Sequence, residues 1–139
     1  MRTFHIFNIN PYVENLIRDD AYPLFKSFLK IKNMSKKDLS MGINIYEQIA
    51  MPIEKDKINK NIYKYYLESD FYMKYHDTHT YINKYKDEQS TLIVNSSCIK
   101  LESNMPKPEF FKCLSKKKNL FVCDFDNKDY FWINDIILK

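Results

Sequence analysis

Residues 110–133 read FFKCLSKKKNLFVCDFDNKDYFWI. Leu120, Phe121, Val122, Cys123 and Phe125 form a short apolar run broken only by Asp124. It is too short for a comfortable helix and rich in β-formers, which predicts a buried strand. Asp126-Asn127-Lys128-Asp129 supplies turn chemistry, because Asn and Asp tolerate the left-handed region and can bond their own backbone. Tyr130, Phe131, Trp132 and Ile133 form a second β-prone run, so the pair predicts a hairpin. Upstream, Pro108-Glu109 opens a helix with Phe110, Phe111 and Leu114 on one face. A helix feeding an aromatic hairpin that carries the only tryptophan is expected to be core.

The rest of the chain supplies layers for that core. Phe4 to Ile9 alternates at the period of a strand with one buried face. Asn10-Pro11 then starts a helix, Asn as cap and Pro at the first helical position. Tyr12, Val13, Leu16 and Ile17 form its apolar stripe, and Asp19-Asp20 interrupts it. Tyr22-Pro23 restarts a helix that buries Leu24, Phe25, Phe28 and Leu29 and stops at Asn33. Ser35-Lys36-Lys37-Asp38 resembles a capping box and opens a third helix. Leu39, Ile43, Tyr46 and Ala50 form one stripe on it, and Ile45 and Ile49 another. A helix apolar around so much of its girth is expected to be central, with Gly42 allowing close packing. Pro52 ends it. Asp56 could cap a fourth helix, with Ile58, Ile62 and Tyr65 or Tyr66 inward.

Strands are expected around Phe71–Tyr75 and Thr80–Tyr85, then at Thr91–Val94 and Cys98–Leu101, with Lys86–Ser90 as a polar loop. This order favours one α+β domain over residues 1–139. Its mixed or antiparallel sheet of about five to six strands packs against four to five helices.

Composition narrows the function classes. The chain has 139 residues, 45% of them hydrophobic and 16% aromatic, which excludes a disordered chain of low hydrophobicity. The single glycine, Gly42, leaves no way to write a phosphate-cradling loop. The net charge of +4 comes from 22 Lys+Arg against 18 Asp+Glu, and only Arg2 and Arg18 are arginines. That is a solvated lysine surface rather than the clustered arginine of a nucleic-acid reader. No run is long enough to span a bilayer, and Met1–Ile9 lacks the features of a signal peptide. Three cysteines, Cys98, Cys113 and Cys123, without framework spacing, fit a reduced cytoplasmic protein.

No chemistry-bearing constellation stands out. His76-x-x-His79 has no third histidine nearby and no HExxH pattern, so no metal site is expected, nor a hydrolase built on these two with Asp77. Asp124-x-Asp126 has the outline of a calcium loop but places Lys128 at the fifth position and Asp135 at the twelfth. Cys123 lies in an apolar strand, where burial makes a thiol inert. No nucleophile, base and orienter can be assembled, so an enzyme is not indicated and no cofactor or small-molecule substrate is expected. The tyrosines and lysines of residues 61–85 offer an alternative: a stacking platform for single-stranded nucleic acid. The absence of arginine there weighs for ordinary packing, and direct nucleic-acid contact is not expected. The first helix differs: four large apolar residues on so short a helix leave a spare edge for a partner.

With those residues read, the chain resembles a diverged member of the SirA family, the sporulation inhibitors of replication. The opening strand and helix with Pro23-Leu24-Phe25-Lys26-Ser27-Phe28 are similar to the family's start. Glu109-Phe110-Phe111-Lys112-Cys113-Leu114, the strand Leu120–Phe125 and Tyr130-Phe131-Trp132-Ile133-Asn134 are similar to its closing pattern. Gln48-Ile49-Ala50-Met51-Pro52-Ile53 is similar to a middle segment. Phe131 stands where the family has glycine, and Asp135 where it has proline. The resemblance implies a non-enzymatic inhibitor of replication initiation that binds the N-terminal domain of the initiator DnaA. It implies a docking face on the early helix and the third-helix region, here Tyr12, Val13, Leu16, Ile17 and Gln48.

Overall fold

The computed structural model describes residues 1–136 as one antiparallel sheet with helices on both faces. The strands are β1 (Arg2–Asn8), β2 (Tyr72–Tyr75), β3 (Thr78–Asn83), β4 (Glu88–Val94), β5 (Ile99–Ser103), β6 (Leu120–Asp124) and β7 (Asp129–Trp132). Their order is β2-β3-β4-β5-β1-β6-β7. Five α-helices join them among the described residues: α1 (Pro11–Ile17), α2 (Tyr22–Lys32), α3 (Leu39–Ile49), α4 (Lys55–Tyr66) and α5 (Phe110–Leu114). The α+β class therefore holds, with seven strands rather than five or six, because both tyrosine-rich segments form strands.

The first strand is the centre of the sheet. Phe4 pairs with Leu101 of β5, and Phe7 with Phe121 of β6, so the amino-terminal segment joins a four-stranded meander to the closing hairpin. Alternation then sorts the side chains onto two faces. Phe4 and Ile6 face α4 and α5, in a core with Ile58, Ile62, Phe110, Phe111, Leu92 and Val122. Ile9, Phe121, Cys123 and Trp132 face the other way, toward Leu24, Phe25 and Phe28 of α2. Rings carry that second interface. Phe28 stacks on Phe7 at 3.9 Å, and Phe25 on Tyr130 at 5.0 Å. Beyond α2 the same face bears Thr3, Glu102, Thr91 and Thr80 in register, a polar row that tolerates water.

Several local expectations change. The third helix is peripheral, not central: Gly42 is its only buried residue, and Leu39, Met41 and Ile43 are exposed. Its glycine still serves close approach, since a methyl group there would meet Met34 Sδ at 3.0 Å. Lys86–Ser90 is a loop only in part, because Glu88 and Ser90 are buried on β4. Glu88 Oε2 accepts from Ser90 Oγ at 2.7 Å and from the Glu109 N–H at 2.9 Å, which satisfies an orphan donor at the start of α5. In the closing turn the left-handed residue is Lys128, with φ 53°. The Asp124 carboxylate organises that turn by accepting from Asn127 Nδ2 at 2.8 Å. At the fourth helix Tyr66, not Tyr65, turns inward. Asp56 lies within α4, which Glu54 precedes at the cap position.

Candidate functional site

Helix α1 is a seven-residue segment with no buried residue. A helix this short is marginal on its own in water, so neighbours must hold it. Two sets of contacts do so. At its start, Asn10 Oδ1 accepts from the Tyr12 N–H at 2.9 Å, and the Asn10 N–H donates to the Ile49 carbonyl at 3.0 Å. Ile9 also forms an isolated bridge with Ala50. The amino end of α1 is thereby joined to the carboxyl end of α3.

At its other end, Arg18 ties the helix to the closing hairpin. Its Nη1 donates to Glu14 Oε1 at 2.7 Å. Its Nη2 donates to Asp135 Oδ1 at 2.6 Å and Asn134 Oδ1 at 2.9 Å. The guanidinium lies 5.1 Å from the centre of the Trp132 ring. Trp132 Nε1 in turn donates to the Arg18 carbonyl at 3.2 Å, capping an orphan group at the end of α1. Trp132 is buried and meets Phe121 edge-on at 5.0 Å. A planar fork that binds two acids and stacks on a ring is a role lysine cannot fill. Sequence reading did not single out Arg18; its Glu14–Arg18 spacing of four, a helical pair, was the available signal.

So held, α1 divides its apolar stripe. Val13 and Ile17 are half-buried against the α2-side core. Tyr12 and Leu16 point outward, 74% and 71% exposed. Gln48 is exposed on α3, one residue before the Ile49 that bonds Asn10, so it belongs to the same end of the molecule. Leu39, Met41 and Ile43 add exposed apolar surface on α3. Large apolar groups left in water on a short helix that its neighbours hold in place are what a protein-binding face presents.

The remaining candidates resolve into structure. His79 is fully buried, with Nδ1 2.7 Å from the Tyr72 hydroxyl and Nε2 2.7 Å from Asn59 Oδ1. Both ring nitrogens are thus occupied, while His76 is exposed in the β2–β3 turn at φ 52°. Burial, helped by Lys74, lowers the His79 pKa to about 4. The unfolded imidazole takes a proton near 6.5, the folded one only near 4. The stability is therefore full above 6.5 and lost as pH falls toward 4, a contribution on the order of 3 kcal/mol. Urea unfolding should show that loss. Nitrogen NMR of the imidazole should find His79 neutral at pH 5, and a charged ring there would contradict the buried network.

Burial raises the thiol pKa of Cys123 and pushes that of Cys113 up to about 11, so neither is poised as a nucleophile. Tyr66 and Tyr81 are core residues, and Tyr66 packs edge-on against Phe110 at 5.4 Å. Tyr63, Tyr65 and Tyr75 are exposed. No helix among the described residues is long and apolar enough to cross a membrane.

The family model described as Sporulation inhibitor of replication protein SirA matches residues 2–137. No curated protein matches the chain.

Proposed function

The chain belongs to the SirA family, and on that premise we propose that it inhibits replication initiation during sporulation by binding the N-terminal domain of DnaA. The family description names the process; DnaA as the target is our reading. The docking face we assign is the outward edge of α1, Tyr12 and Leu16, with Gln48 beside it on α3. Val13 and Ile17 act from beneath, setting how far that edge projects. The observation that carries the reading is the pair of large apolar side chains left in water on a helix clamped at both ends. A pre-set helix loses little entropy on docking, so a few anchors suffice for affinity.

The protein acts in this account as a cytoplasmic blocker, without catalysis or cofactor. Isothermal titration against the DnaA N-terminal domain of the same organism tests it. We expect saturable one-to-one binding at low micromolar or tighter Kd. No heat and no capture at tens of micromolar would sink the assignment.

A further inference from the structure

A second surface lies on the opposite side of the sheet, between α4 and α5. It is an open groove of about 520 Å³ with Ile58, Ile62 and Leu114 in its floor. Lys57, Lys64, Lys116 and Lys117 line it, against a single carboxylate, Glu54. Across the chain, cations and anions are nearly balanced, 22 to 18; here they are four to one. Among the described residues, only Lys57 of the four has a carboxylate within salt-bridge distance, Glu54 at 3.8 Å. Three ammonium groups above an apolar floor form a built combination, because each half recognises something different.

We infer that this groove docks an acidic peptide segment carrying an apolar anchor, supplied by a protein partner. The carboxylates would meet Lys64, Lys116 and Lys117, and the anchor would cover Ile58, Ile62 and Leu114. Single-stranded nucleic acid fits less well. The one aromatic lining residue, Tyr65, has the Lys116 ammonium 4.7 Å over its ring and Tyr66 packed edge-on at 4.7 Å. One face of the only aromatic ring in the groove is thus already taken by a cation, which leaves a poor platform for stacked bases. The groove also lacks arginine, whose fork suits phosphate better than lysine does. This site is independent of the α1 edge, which the other sheet face carries.

The test uses the full chain and a fluorescein-labelled peptide, Glu-Asp-Glu-Leu-Phe-Asp-Glu-Glu, followed by anisotropy. Saturable binding is expected, weakened about tenfold by Lys64→Glu with Lys116→Glu and Lys117→Glu. Replacing Leu-Phe in the peptide by Ser-Ser should weaken it by a similar factor. Amide shifts on the wild-type protein should map to α4 and α5, a readout that does not depend on the variant folding. Leu16→Glu should bind the peptide as the wild type does, separating this site from the DnaA reading. Absence of saturable binding, shifts elsewhere, or an unlabelled thymidine oligonucleotide binding more tightly at the same residues would overturn the proposal.

Discussion

Leu16→Glu is expected to weaken binding to the DnaA N-terminal domain by about thirtyfold or more while leaving the melting temperature within a few degrees. Leu16 is 71% exposed, so its removal takes little from the folded core. Surface substitutions of this kind usually stay within about 0.5 kcal/mol. Glutamate is a good helix former, and its local penalties, a negative charge in the last turn of α1 and like charge from Asp19 and Asp20, are about a few tenths of a kcal/mol each. In a complex the same change removes an apolar anchor and forces a carboxylate against an apolar surface. Hot-spot losses of that type reach about 2 kcal/mol or more, hence the factor. Tyr12→Ala should act in the same direction. Val13→Asp and Ile17→Asp provide the contrast: both side chains pack on the core, so any loss of binding there should come with loss of stability. Parallel calorimetry and thermal melts of the four variants separate the two patterns.

Trp132→Ala should be among the most damaging single changes to the fold outside the central strands. The ring is 3% exposed and packs against Phe121 and the Arg18 guanidinium. Truncating a buried tryptophan costs about 3–5 kcal/mol, a large share of a typical domain's total stability. Here the loss also uncaps the end of α1, because the Nε1 bond to the Arg18 carbonyl goes with the ring. Binding should therefore fall along with stability. Trp132→Phe keeps an aromatic ring against Phe121 but loses the N–H bond and part of the buried indole, so it should cost less than Ala, about 1–3 kcal/mol, and spare more of the binding. Urea denaturation with both variants checks the order. Equal losses from Ala and Phe would mean the indole N–H, not the packing, holds the clamp.

The closing segment was legible because its signals agree: an apolar run, a polar turn and an aromatic run leave only one economical arrangement. Residues Leu120–Phe125 are indeed all buried. The strand order was not legible, because the partners of β1 lie about a hundred residues away and periodicity carries no pairing information. Glu88 and Ser90 read as loop for a physical reason: a buried polar ladder has the composition of a solvated turn until its partners are known. Helix α3 misled in the opposite direction. Its apolar girth suggests burial, yet Leu39, Met41 and Ile43 stand in water. Apolar residues on all sides of a helix mark either a core helix or one that meets a partner, and sequence alone does not separate the two.

The candidate site was half legible. Its helix and five residues were named from the apolar stripe and the family likeness, but which of them face outward depends on where α1 rests. Arg18 and Trp132 set that rotation from opposite ends of the chain, 114 residues apart. The tryptophan of the closing hairpin thus also positions the helix we assign to docking.

The most direct measurement is an amide-shift footprint of unlabelled DnaA N-terminal domain on the isotope-labelled protein. We predict perturbations centred on Tyr12 to Leu16 and extending to Gln48, with α4 and α5 unchanged. A footprint centred on α4 and α5 or on the bare sheet face, or no footprint at saturating concentration, would contradict the account.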